Sequence, residues 1–224
     1  MSVDRIESKA SRSSCAVAAA IAGTILCGVG TTALAIDVKL TPEDAKQSLE
    51  AGRIPMEKAN SPEEVKKVLQ QASVATRVGA DPEKDPCGAS AILRTKRFRL
   101  EAFGRQEAAE SKKQKKDVRM PEEFIQKVID MPNMEVEVQL CGDDEYFAEK
   151  ADLVFQQKGK NIKPFDISPA ERGRKNEGQG PAYRARFTAR FGYDSFDPNA
   201  KTTIIVTLQD GQEIKFDADL SKVK

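Results

Sequence analysis

Three arginines, Arg184, Arg186 and Arg190, stand at even positions in the stretch YRARFTARF, with Tyr183, Ala185, Phe187, Ala189 and Phe191 at the odd ones. A period of two places side chains on opposite faces of a β-strand, so the guanidinium groups share one face and the apolar residues the other. Guanidinium is a fixed cation with five N–H donors, suited to the oxygens of carboxylate, sulfate or phosphate. The chemistry on offer is anion binding, unless acids on neighbouring strands neutralise the row. Glu135 and Glu137, and further on Glu213, Asp217 and Asp219, occupy the polar faces of other alternating segments. Cross-strand pairing with those acids is the expected state of the arginines, each pair contributing roughly 0.2–1 kcal/mol.

A second basic cluster, KKQKK, comprises Lys112, Lys113, Lys115 and Lys116 in a polar stretch with no opposing strand to neutralise it. It is the other candidate anion-binding cluster, although solvated charge runs are common. Around it, residues 94–119 hold ten Lys or Arg against four acids, whereas residues 130–149 hold seven acids and no base. That segregation reads as two neighbouring strands whose charges cancel across a sheet.

The chain contains no histidine and no tryptophan. Without imidazole there is no Ser-His-Asp or Cys-His machinery and no His-ligated zinc. No G-x-S-x-G or P-loop pattern is present. The oxygen-rich stretches Asp143-Asp144-Glu145 and Asp194 to Asn199 do not match a calcium-loop pattern, so neither a metal nor a cofactor is expected. Hydrolysis of sugars by a carboxylate pair stays chemically open, because Asp and Glu are plentiful.

The N-terminal region fixes the expected compartment. After Asp4, Arg5, Glu7, Lys9 and Arg12, no charged residue occurs from Ser13 to Ile36, and the run ends in small residues at Ala33 and Ala35. This is the layout of a signal peptide cleaved between Ala35 and Ile36. A lipoprotein site is disfavoured because bulky Leu26 precedes Cys27. An uncleaved signal anchor is the alternative, since the apolar run is long enough to span a bilayer. Cleavage removes three of 36 bases and two of 35 acids, leaving the mature chain neutral, which argues against a nucleic-acid partner. It also leaves one pair of cysteines, Cys87 and Cys141, and an even pair in an oxidising compartment reads as a disulfide worth roughly 4 kcal/mol.

These residues need elements to position them. TPEDAKQSLEAG reads as a helix capped by Thr41, with Pro42 in its first turn and Gly52 at its end; SPEEVKKVLQQA reads as a second, capped by Ser61. GADPEKDPCG marks a boundary near residue 80. Beyond it, Ala91 to Phe103 reads as a long strand, MPEEFIQKVID as a short helix and Met134 to Leu140 as a strand. ADLVFQQ and NIKPFDI flank a turn at Lys158-Gly159, the arginine strand follows the disordered-looking ERGRKNEGQGP, and a hairpin at Asp210-Gly211 joins TTIIVTL to QEIKFDADL.

The expected fold is mainly β with a helical N-terminal arm, an α+β chain whose β part is an antiparallel immunoglobulin-like sandwich of about seven strands. The expected organisation is a signal peptide over 1–35, the arm over 36–80 and the sandwich over 81–224. The function expected from these features is that of a secreted or periplasmic, non-catalytic binding module whose partner is a protein or an anionic glycan. The alternatives are a carboxylate-pair hydrolase acting on an envelope glycan, and an envelope protein held in the membrane by its uncleaved signal. If the Cys87–Cys141 bond forms, the start of the first strand must lie beside the end of the second, since bonded cysteines need Cα atoms about 4.4–6.8 Å apart.

Overall fold

Thr41 starts the first helix as its spacing predicts. Its hydroxyl accepts the Asp44 N–H at 3.1 Å, and Asp44 returns a bond to the Thr41 N–H at 3.0 Å, closing a capping box ahead of α1, Pro42–Lys58. In the computed structural model, residues 36–168, 170, 172–177 and 180–223 are described. The signal segment expected over 1–35, including Ala35, lies outside them. Ile36, the residue expected to follow the cleavage point, is buried in the main apolar core.

Gly52 does not end α1. It lies mid-helix where α1 crosses α3, Lys96–Gln114, and a Cβ there would stand 1.9 Å from the Glu101 carbonyl oxygen. Gly104 of α3 repeats the arrangement against the Leu49 carbonyl, again at 1.9 Å. Two glycines thus let two helix backbones touch. The residue that reads as a stop signal is a close-packing residue.

The long strand expected over Ala91–Phe103 is corrected too. A short strand, β2, Ser90–Arg94, gives way at Thr95, whose hydroxyl accepts the Phe98 N–H at 3.1 Å and caps α3. The basic run Lys96-Arg97-Phe98-Arg99 is helical, and Leu100, Gly104 and Ala108 form its buried stripe at intervals of four. With α4, Glu122–Ile129, the helices enclose a small cluster of Leu40, Ala45, Leu49, Leu100 and Val128. Arg53 locks this layer from inside: buried on α1, it meets Glu57 at 2.5 Å, Glu107 at 3.3 Å and Asp117 at 2.5 Å. The remaining helix, α2, Pro62–Gln71, is capped by Ser61 and buries none of its residues, in keeping with its thin apolar stripe.

The β part comprises two antiparallel sheets. The first orders β1 (Arg77–Gly79), β2, β3 (Asn133–Gly142), β8 (Tyr183–Gly192) and β6 (Asp166–Ser168), with β7 (Arg174–Lys175) also pairing to β8. The second orders β10 (Glu213–Asp219), β9 (Lys201–Thr207), β4 (Asp152–Gln157) and β5 (Lys160–Ile162). NIKPFDI is divided between them, β5 joining one sheet and β6 the other, with Pro164 in the passage. Alternate residues of both sheets supply one core: Leu93, Val136, Val138 and Phe187 from the first, Leu153, Ile204, Val206 and Phe216 from the second. The rings of Phe155 and Phe191, one from each sheet, stack with centroids 3.9 Å apart. The protein is a β-rich α+β fold with four helices and ten strands among its described residues, against about seven strands expected. No helix among those residues is long and apolar enough to cross a membrane.

Cys87 and Cys141, 54 positions apart in sequence, are joined with their Cα atoms 5.3 Å apart. The bond links antiparallel neighbours, because Ser90 of β2 pairs with Gln139 of β3 and the two cysteines lie just beyond that end of the ladder.

Two stability outcomes are expected. Gly104→Ala gains about 1 kcal/mol of helix propensity but forces the α1 and α3 backbones apart, so its net effect is a loss of about 1–3 kcal/mol in denaturant titration. Reduction of the disulfide lowers stability by about 2–5 kcal/mol, and thiol titration of the denatured, unreduced chain finds neither Cys87 nor Cys141 free.

Candidate anion-binding site

The register between β3 and β8 decides which arginines are neutralised. Arg190 lies opposite Glu135 and donates to it at 3.1 Å, and on its other side it meets Asp166 of β6 at 2.5 Å. Glu137 lies opposite Thr188 and is taken by Arg94 of β2. Arg186 lies opposite Gln139, a neutral residue, and donates to its Oε1 from two nitrogens at 3.2 and 3.0 Å. Arg184 lies opposite Cys141 and donates to the Pro86 carbonyl at 3.0 Å and to Asn176 Oδ1 at 3.3 Å. Its Nε is buried without a hydrogen-bond partner among the described residues.

The expectation of a fully paired face therefore holds for Arg190 and fails for Arg184 and Arg186, which have no carboxylate partner among the described residues. The acids of β10 do not reach them. Asp217 accepts from Thr203, Glu213 pairs with Lys215 at 2.9 Å and Asp219 with Lys222 at 3.0 Å, all at the second sheet or its end. The wider expectation, a basic and an acidic strand cancelling across a sheet, is met where Arg94 pairs with Glu137. Elsewhere it is met from the helices, as Arg99 of α3 reaches down to Glu135.

Arg184 and Arg186 open into a cleft of about 800 Å³ along β8, bounded by Pro86 and Asn176. Arg172, Arg174 and Lys175 add three further cations, against the carboxylates of Glu137 and Glu177 among the described lining residues. Arg172 pairs with Glu145 at 2.5 Å and lies over the Tyr146 ring. Arg77 of β1 belongs to the same sheet face and is likewise held by neutral groups, the hydroxyls of Ser90 and Ser73. Burial first, and the nearby charge of Arg186 to a smaller degree, lower its pKa. The disulfide lies directly behind these groups: Asn176 Nδ2 lies 3.0 Å from Cys87 Sγ and Pro86 precedes Cys87, so the groups that hold Arg184 are tied to the bond joining β2 and β3.

KKQKK is placed elsewhere. Lys112, on the last turn of α3, donates to the Ala59 carbonyl at the end of α1, while Lys115 is the α3 C-cap in the left-handed region at φ 53°. Lys112, Lys115 and Lys116 share an open cleft with Glu57 and Asp117, and Lys113 is exposed beside them. The structure does not combine this cluster with the arginine row. A further cleft of about 670 Å³, between α2 and β1, is mostly apolar, with Leu69 and Val74 exposed. It offers no array of like charge.

Sequence reasoning found Arg184 and Arg186 but missed Pro86, Asn176 and Gln139, the neutral acceptors that hold them. The one available signal was the order of β3 itself, where Glu135 and Glu137 are followed at the same parity by Gln139 and Cys141. Among known proteins, the chain matches no family model and no curated protein.

The acidic end of the face sets a pH dependence. Burial alone would raise the Glu135 carboxyl, but Arg190 and Arg99 together hold it below its ordinary value of 4.5. A carboxyl whose folded pKa is depressed contributes stability above its unfolded value and loses that contribution as pH falls through the folded one. Stability is therefore expected to drop as pH falls below about 4.5. Glu135→Gln should cost about 1–3 kcal/mol at neutral pH and flatten that acid limb in urea titrations at several pH values.

Proposed function

We propose that this chain is an exported, non-catalytic binding module that recognises an anionic group through the cleft of Arg184 and Arg186. The observation that carries the reading is that both guanidinium groups face the cleft while held by neutral acceptors, so their charge is not cancelled at short range. Neutral acceptors orient a guanidinium without consuming its charge, which preorganises it for an incoming oxyanion. Export is supported by the N-terminal pattern and by the cystine, a bond favoured in oxidising compartments.

For the β part, an immunoglobulin-like sandwich is the finer fold reading. It is supported by two antiparallel sheets sharing one core, and it departs from antibody-like domains in a cystine that joins neighbours of one sheet. Of the two carboxylates among the described lining residues, Glu137 is engaged by Arg94, which favours binding over carboxylate-pair hydrolysis.

The test is salt-gradient elution of the mature, disulfide-bonded protein from a sulfated polysaccharide matrix, with thermal melts to confirm folding. Arg184→Gln with Arg186→Gln should elute at clearly lower salt, whereas neutralising Lys112 to Lys116 should change retention little. Unchanged retention of the double arginine variant would sink the reading. N-terminal sequencing of the exported chain should begin at Ile36.

A further inference from the structure

Pro62, Val65 and Leu69 stand along α2 at intervals of three and four, which puts them on one face of the helix, and all three line the cleft of about 670 Å³ beside β1. The rest of its apolar lining comes from Val74 and from Gly79, Ala80 and Pro82, at the end of β1 and just beyond it. α2 buries none of its residues, and two of the six large apolar side chains exposed among the described residues, Leu69 and Val74, lie in this lining. An apolar face left open in this way marks a binding surface. The volume falls within the roughly 300–1,000 Å³ of small-molecule sites, which combine apolar walls with a few placed polar groups.

The placed polar group is Arg77. Half-buried, it donates to the Ser73 hydroxyl at 3.0 Å and to the Ser90 hydroxyl at 3.1 Å, neutral partners that occupy two of its five N–H donors. Among the described residues it forms no ion pair with a carboxylate. Asp81, in the same lining, is engaged within its own turn, accepting the Glu83 N–H at 3.1 Å and meeting Lys84 at 3.6 Å. The other charges of the lining, Lys66 and Glu83, are exposed and of opposite sign.

That pattern selects a ligand class. One available guanidinium beside an apolar wall calls for one anionic group on an apolar body. With Asp81 and Glu83 in the lining a dianion would be repelled, whereas a single carboxylate matches the guanidinium fork. No aromatic side chain lines the cleft to stack against a ring, and its walls are aliphatic, so the body is aliphatic too. We infer that the cleft between α2 and β1 binds a fatty acid, its carboxylate at Arg77 and its chain along Val65, Leu69 and Val74. The site is independent of the arginine cleft on β8, since the two share no described lining residue.

The experiment is a calorimetric titration of the mature, disulfide-bonded protein with laurate below its micelle concentration at neutral pH. Parallel titrations use dodecyltrimethylammonium, which has the same chain on a cationic head, and acetate, which has the head without the chain. The inference expects one laurate per chain, at least tenfold weaker binding of the cationic homologue and no binding of acetate. Leu69→Asp, at an exposed position where folding is not at stake, should weaken laurate at least tenfold. Arg77→Gln, with thermal melts to report its fold, should abolish the preference for the anionic head, and Arg77→Lys should restore part of it. Excess sulfated disaccharide should leave laurate bound. Displacement by the disaccharide would overturn the inference by placing laurate in the β8 cleft, a result that leaves the anion-binding reading standing. Equal binding of both homologues would overturn the role of Arg77, and absent laurate binding, or binding indifferent to Leu69→Asp, would overturn the site. Dimerisation abolished by Leu69→Asp, without laurate binding, would assign the face to a second copy of the chain instead.

Discussion

The ladder between β3 and β8 runs without a break from Asn133 opposite Gly192 to Gly142 opposite Tyr183, and both the core and the charged face depend on its register. Slipping β3 by one residue would turn Val136 and Val138 to solvent and bring Glu135 into the core, and slipping β8 instead would do the same to Phe187 and Arg190. Burial of those apolar residues, at about 1.5–3 kcal/mol each, excludes such a slip. The apolar face therefore chooses the register, and the polar face inherits its pairings. Arg190 receives Glu135, Arg186 receives Gln139 and Arg184 receives Cys141, so a row of like residues becomes one neutralised arginine and two that keep their charge.

The two ends of that face are maintained by different means. At the acidic end the helical layer is required, because Arg99 projects from α3 to Glu135 while Arg94 takes Glu137 from the adjacent strand. The reciprocal glycines Gly52 and Gly104 fix α3 against α1 and so set where the helix lies. At the basic end the disulfide takes over, holding Pro86 and Asn176 where they accept from Arg184. Stability and charge polarity are thus coupled through the same few contacts.

Much of this was legible in the residues. β3, β8 and the hairpins at Lys158-Gly159 and Asp210-Gly211 follow from period-two alternation and turn chemistry, and the Cys87–Cys141 pair from the even number of cysteines left outside the apolar N-terminal run. The misread elements share a cause: local signals that tertiary packing overrides. Lys96-Arg97-Phe98-Arg99-Leu100 alternates like a strand, yet Thr95 caps a helix whose buried stripe becomes visible only over the longer interval from Leu100 to Ala108. Gly52 has the composition of a helix end, and only its contact with the Glu101 carbonyl shows why glycine is needed inside α1. The charge of the arginine row was readable as a set, but its division into paired and unpaired members depends on strand neighbours and register, which separate segments of sequence do not specify.

The central claim is that register leaves Arg184 and Arg186 chemically available while acids occupy Arg190. Arginine-directed dicarbonyl modification of the folded, disulfide-bonded chain, followed residue by residue with peptide mass mapping, tests it most directly. The account predicts that Arg186 and Arg184 react several-fold faster than Arg190, and that an anionic competitor slows them selectively. Equal rates at all three positions, or fastest modification at Arg190, would contradict it.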